Sequence, residues 1–295
     1  MGMGEKGLSR RNFLAGAATG IIGVAGAGML ASCAAPSKAG EGQAASEDQA
    51  TESALKEATS TRDVDIVIVG SGAAGCMAAY EAAQLGVGSV LVVTKSGNAT
   101  DSNFNVITGT CAVETEGTKS IGQDYSLEDM YQRMITFAHW TVNAKLLRDC
   151  VMMLPENITI LQEMGVETAI LGDRYNAGFT CVHGFVTQNK GVPVEETLLG
   201  MGVEFLYDTP ATHILMQDGK AVGVQCEQGD DVINVNAKAV LVCTGGYMAN
   251  EEMLKQVYGN VTLCNMGSEK NTGDGQRMVL EVGGVEDRIH GLGMN

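Results

Sequence analysis

"DVDIVIVGSGAAGCMAAYEAAQLG", residues 63–86, decides the fold. Its opening "DIVIVG" is a continuous, β-branched apolar run, the pattern of a strand buried on both faces. Gly70-Ser71-Gly72-Ala73-Ala74-Gly75 follows at once and satisfies GxGxxG where strand gives way to helix. The first glycine permits a tight turn, the second lets backbone N–H groups approach a pyrophosphate, and the third lets the helix lie close on the strand. The spacing alone is weak, but the strand-turn-helix context is what dinucleotide binding requires.

Toward the C-terminus, "AAGCMAAYEAAQLG" supplies the small residues a helix needs against a sheet, and "SVLVVTK" a second buried strand. This βαβ unit predicts an α/β, Rossmann-like domain with a parallel sheet. Helices are expected over 126–139 and 144–165. In the second, Leu147, Val151, Leu154, Ile158 and Leu161 form one apolar stripe, and Pro155 is expected to split it into two helices. "QDGK", residues 217–220, reads as a hairpin turn. "NAKAVLVCTGG", residues 236–246, reads as another buried strand.

Toward the N-terminus, "SRRNFL" (Ser9–Leu14) resembles a twin-arginine export signal, and a Gly- and Ala-rich run follows it. That run is too short and glycine-rich for a comfortable transmembrane helix. It ends in "LASC", which resembles a lipobox with Cys33 as the lipidated residue; cleavage by an ordinary signal peptidase is the competing reading. Residues 34–62 carry almost no large apolar side chain and read as a disordered tether. The expected organisation is a 1–33 signal, a 34–62 linker and a 63–295 binding domain. The chain is thus expected in the periplasm or on the outer face of the cytoplasmic membrane, lipid-anchored through Cys33.

Charge narrows the partners. The chain carries −16, and Lys6, Arg10 and Arg11 against Glu5 give residues 1–32 a charge of +2, leaving −18 for the rest. A field of that sign repels phosphate backbones, so nucleic acid is excluded as an expected partner. Beyond Cys33, seven cysteines lie scattered without CxxC or CxxCH, which argues against a disulfide framework, a zinc site and covalent haem; they read as small core residues. No metal ligands and no catalytic residue are assigned. His139, His183 and His213 read as packing or surface groups, Arg133 and Arg148 as surface charges, and Met152, Met153 and Met164 as core. His290 is a weak substrate-facing candidate.

The second strand ends in Thr94-Lys95, where NAD sites carry an Asp or Glu for the ribose hydroxyls. From these residues alone three readings stand: Lys95 meeting an NADP 2′-phosphate, Thr94 and Lys95 holding part of FAD, or a degenerate site.

"TKSGNATDSNFNVITGTCA" (Thr94–Ala112) resembles the corresponding segment in the flavoprotein family of succinate dehydrogenase, fumarate reductase and L-aspartate oxidase. There a Ser/Thr-Lys pair is followed by Ser and, seven residues later, by Gly-Gly along the flavin. Ser102 and Gly109 stand at that spacing, with Thr110 in place of the second glycine and Thr108 beside them. "LLRDCVMMLPENITILQEMGVE" resembles the family's helix pair. "PATHILMQDGKAVGV", with Ala211, resembles its adenine-contacting hairpin. "AKAVLVCTGGYMANEEML", with Thr244 and Gly245, resembles its Ala-Thr-Gly-Gly-Phe strand end. "NTGDGQRMVLEVGG", with Asp274, matches the segment whose Asp approaches the flavin ribityl chain.

The resemblance implies FAD as cofactor. It is expected to be noncovalent, because Asn103 stands where family members with covalent flavin carry His. It further implies hydride transfer between flavin N5 and a small α,β-unsaturated acid or enone, with electrons from an external donor such as a cytochrome c. The family's capping domain and catalytic Arg are expected beyond Asn295. Two alternatives stand beside this: a non-catalytic flavin-binding fragment, and an NADPH-dependent reductase using Lys95.

Overall fold

Strand β1, Ser60–Val69, runs up the centre of a six-stranded sheet. The computed structural model describes residues 54–171, 181–260 and 262–286, all within one structural unit, Thr51–Asn295. The leader, Cys33, most of the expected tether and His290 lie outside the described residues.

β1 pairs in parallel with β2 (Val90–Val93) on one side and β9 (Asp231–Val242) on the other. β2 pairs in parallel with β6 (Glu204–Leu206), and β9 is followed outward by antiparallel β8 (Lys220–Gln228) and β7 (Ala211–Gln217). The order is β6-β2-β1-β9-β8-β7. Helix α1 (Ala73–Gln84) crosses from β1 to β2, completing the βαβ unit read from the sequence.

The two faces of the sheet part the strand residues by alternation. Ile68 and Val92 face α1, where Ala79, Leu161, Val194 and Leu198 close a core. Val67, Val69, Leu91 and Val93 face the other side against Val224, Val235 and Met278. Val67, Ile68, Val92 and Val93 are wholly inaccessible, as a strand covered on both faces must be.

Two expectations need correction. β1 starts at Ser60, not at Asp63, and the end of the supposed linker is ordered. Ser60, Thr61 and Arg62 pair with Ile233, Asn234 and Val235, and the Lys56 N–H donates to Gln225 Oε1 at 2.9 Å. Ladder hydrogen bonds need no apolar side chains, so the polar composition hid this pairing. Pro155 does not split the second helix. α2 (Asn103–Val106), α3 (Glu116–Ser120) and α4 (Leu127–Phe137) precede α5, which is continuous over Ala144–Glu163 with Pro155 inside. Its two ends are held by separate cores, Val151 against Ile135 and Leu161 against Ile68, which outweighs the one backbone bond that proline deletes.

A second, antiparallel sheet, β3-β5-β4, is formed by β3 (Gly109–Cys111), β5 (Val182–Phe185) and β4 (Thr168–Leu171). His183 in β5 packs as expected: it is buried, with Nε2 2.8 Å from Thr115 Oγ1 and Nδ1 3.1 Å from the Cys181 carbonyl. Met153, Cys150 and Cys264 are exposed, against their reading as core residues. Arg148 pairs with Glu128 at 2.8 Å and lies over the Tyr131 ring.

Candidate functional site

β1, β2 and β9 stop in register: Val69 is paired with both Val93 and Val242. The chain therefore leaves three adjacent parallel strands at one edge, through Gly70, Thr94 and Cys243. A cleft of about 680 Å³ lies there, within the range of small-molecule sites and outside the carboxyl ends of the strands, where such sheets bind ligands.

The glycine-rich turn forms one wall. Gly70 has φ +106°, and a Cβ on it would lie 2.4 Å from the Cys243 carbonyl oxygen. A Cβ on Gly75 would lie 1.9 Å from the Gly70 carbonyl oxygen, so only glycine lets α1 start this close to the strand. Gly70, Ser71, Gly72, Ala73 and Ala74 border the cleft, and Gly75 stands behind them as packing. The N-terminus of α1 has no side-chain cap. After α6 (Gly191–Gly200) and α7 (Glu251–Tyr258), helix α8 (Asp274–Glu281) also begins at the cleft, behind Gly273 in left-handed conformation. Two helix N-termini thus present unpaired N–H groups and positive dipole ends to the same space.

Thr94 and Lys95 follow β2, and their side chains do different work. Thr94 is buried; its Oγ1 receives bonds from Ser71 Oγ at 3.1 Å and the Ser96 N–H at 3.2 Å, tying the glycine turn to the second strand. Lys95 reaches across the cleft: its Nζ lies 2.5 Å from Asp274 Oδ2 and 2.6 Å from Thr272 Oγ1. Lys270, which the sequence reading missed, donates to the Lys95 carbonyl at 2.9 Å and pairs with Asp101 at 2.6 Å. That ammonium holds the Asp101 carboxyl below its ordinary pKa.

Ser102, Asn103, Ala211, Thr244 and Gly245 also border the cleft. The Asn103 side chain is committed, its Oδ1 accepting the Ser268 N–H at 2.5 Å. Thr108, Gly109 and Thr110 are not brought to the cleft wall; Gly109 and Thr110 enter β3, and a Cβ on Gly109 would lie 2.6 Å from the His183 carbonyl oxygen. Ile107, one residue earlier, does border it. Besides Lys270, the sequence reading missed Asp101, Phe104, Pro210, Ser268, Asn271 and Gln276. Their only signal was adjacency to motifs, since loop residues converge on a site through the fold.

The residues fit a dinucleotide. Ser102 Oγ and Gln276 Oε1 are buried on the cleft wall with no hydrogen-bond partner among the described residues. Such groups are costly unless something supplies their bonds. With glycine backbone and two helix N-termini for phosphate, the wall offers hydroxyl, amide and carboxylate groups of the kind a ribityl or ribose chain takes.

Known proteins are similar to this chain in sequence and fold. The vinyl phenol reductase of Lactiplantibacillus plantarum is 29% identical over 238 residues, covering 78% of this chain and 47% of that protein. The NADH:fumarate oxidoreductase of Klebsiella pneumoniae is 30% identical over 235 residues, covering 75% and 25%. The chain thus spans less than half the length of these curated relatives. An open-conformation flavocytochrome c3 fumarate reductase structure shares the fold, with a TM-score of 0.65 at 20% identity over 75% of this chain and 41% of that one. Residues 65–291 match the FAD binding domain family model, and the chain belongs to that family, the FAD-dependent flavoproteins of fumarate reductase and succinate dehydrogenase type.

Proposed function

We propose that this chain is the cofactor-holding part of an exported oxidoreductase of fumarate reductase type, acting on the carbon–carbon double bond of a small unsaturated acid or enone. The observation that carries the reading is the cleft itself: GxGxxG backbone, two helix N-termini and the unpartnered Ser102 Oγ meet at the ends of three parallel strands. The relatives named for vinyl phenol and fumarate support a conjugated carbon–carbon double bond as the reacting group, fumarate being an unsaturated acid and vinyl phenol carrying its double bond on an aromatic ring.

FAD, when bound, supplies hydride exchange at N5. The chain's own part is to bind and orient it. The turn 70–75 and the start of α1 receive phosphate, Ser102 and Gln276 offer hydrogen bonds to hydroxyls, and Lys95 fixes Asp274 at the wall. Attachment is noncovalent in this reading, because the Asn103 amide has no nucleophilic ring nitrogen and already accepts from Ser268. Electrons come from an external donor such as a cytochrome c, and Cys33 carries a lipid anchor.

The test is purification of the full chain followed by a flavin spectrum, acid precipitation and assay with a reduced dye and fumarate. Flavin released intact by acid is the expected result, with turnover of an enoate by the whole enzyme of which this chain is the cofactor-holding part. Intact flavin without turnover of any enoate identifies a non-catalytic flavin holder, and a colourless chain that binds NADPH replaces the proposal.

A further inference from the structure

Helix α6, Gly191–Gly200, starts against the segment that forms one wall of the cleft. The Gly191 N–H donates to Asn105 Oδ1 at 2.9 Å, Asn105 Nδ2 donates to the Ala99 carbonyl at 2.9 Å, and a Cβ on Gly191 would lie 2.0 Å from that same carbonyl oxygen. Lys190 stands at this junction and is only 3% exposed. A lysine that deep is rare without a carboxylate beside it. Among the described residues it forms no ion pair. Its Nζ donates to the carbonyls of Asn105 at 3.2 Å and Ile107 at 2.9 Å, and lies 4.9 Å from the Phe185 ring centre and 5.8 Å from that of Phe104. Burial pulls its pKa down; carbonyl dipoles and ring faces take the place of a counter-ion.

The direction of those carbonyls matters. In a trans peptide the C=O and the following N–H point oppositely. With the Ile107 carbonyl drawn to Lys190, the Thr108 N–H points away from the ammonium, and Ile107 itself borders the cleft. The Thr108 carbonyl is held separately, accepting the Phe185 N–H at 2.9 Å, so two successive carbonyls of this segment are fixed. Phe104 and Ile107 both border the cleft and both touch Lys190, which puts the ammonium one side-chain layer behind the wall.

We propose that Lys190 is a positioning residue for the cofactor: it fixes the Asn105 and Ile107 carbonyls and holds a buried positive charge one side-chain layer behind the wall that faces a bound flavin. This rests on the cleft holding FAD. A cation in a poorly solvated wall favours the more negative, reduced state of a ligand beside it. Lys190 therefore raises the reduction potential of the flavin, and a neutral replacement lowers it.

The experiment uses the full chain loaded with FAD. Its midpoint potential is measured by spectroelectrochemistry in wild type, Lys190→Met and Lys190→Arg. The expected result is a lower potential in K190M and the wild-type value in K190R, which keeps the charge and two donors. An unchanged potential in flavin-loaded K190M, or K190R shifted as far as K190M, overturns the proposal. If K190M does not fold, Lys190→Gln takes its place, keeping a donor for the carbonyls without the charge: a lowered potential is expected, and the wild-type value overturns the proposal. Wild-type chain that takes up no FAD overturns the reading of the cleft beneath the proposal, a result separate from the others.

Discussion

Lys95 shows how one side chain can change meaning between sequence and structure. In the sequence it stands where an acidic residue would mark NAD, and a lysine there suits a 2′-phosphate as well as FAD. In the fold its ammonium is already engaged, 2.5 Å from Asp274 and 2.6 Å from Thr272, and Thr272 Oγ1 donates to the other Asp274 oxygen at 2.9 Å. Lys95 therefore fixes the carboxylate at the head of α8. Lys95→Glu sets two carboxylates together and removes a charge-assisted bond, a loss of about 1.5–3 kcal/mol of ordering at the wall. The expected outcome is FAD affinity weakened about tenfold or more, read as flavin per chain after desalting, with K95R close to wild type. Flavin content unchanged in K95E removes the pair from the site.

Helix α5 carries the clearest element-scale lesson. Local rules read Pro155 as a break because it lacks an N–H and crowds the preceding turn. The helix nevertheless continues, since its apolar stripe reaches two cores, Val151 beside Ile135 at one end and Leu161 beside Ile68 at the other. The Pro155 carbonyl still accepts Thr159 Oγ1 at 3.2 Å. Pro155→Ala restores a bond to the Val151 carbonyl and is expected to stabilise the protein by about 1–3 kcal/mol, as a rise in urea midpoint. A fall in midpoint would mean the proline sets a bend the two cores require. The β7–β8 hairpin behaves oppositely: Asp218 and Gly219 both take positive φ, 52° and 73°, as a two-residue turn between twisted strands demands, and "QDGK" announced it.

Across the whole molecule, groups with lowered pKa values make the folded state sensitive to acid: His183 and Asp65, and with them Asp101, Glu128 and Asp129. Burial lowers the pKa of His183 from 6.5, and hydrogen bonds from Lys238 and Ser89 lower Asp65 from 3.8 to about 2. In both cases the unfolded chain binds its proton first. Their stabilisation is complete above the unfolded values, 6.5 and 3.8, and is lost as pH falls through the folded ones. Urea denaturation is expected to show stability declining below pH 6.5 and declining again below pH 3.8. Asp65→Asn should make the second decline shallower, leaving the share of Asp101, Glu128 and Asp129, and should leave the first unchanged; a second decline equally steep in D65N would remove Asp65 from it.

Sequence by itself determined what depends on neighbours in the chain. The β1 run, the GxGxxG turn, α1 and the 217–220 turn are set by side-chain alternation, by glycine's missing Cβ and by positive φ, all local properties. Thr94, Lys95 and Asp274 were found through spacing and resemblance, and the fold brings all three to one cleft. Tertiary structure alone decided what depends on distant partners. It paired Ser60–Arg62 with β9, paired β3 with the distant β5 (Gly109 with Gly184, Cys111 with Val182), and carried α5 through a proline. It also set Lys190 behind residues 105–107 and Lys270 against Asp101. Backbone pairing and buried ammonium groups leave no periodic mark in a sequence, because their partners are chosen by the packing of the sheet and not by the order of the chain.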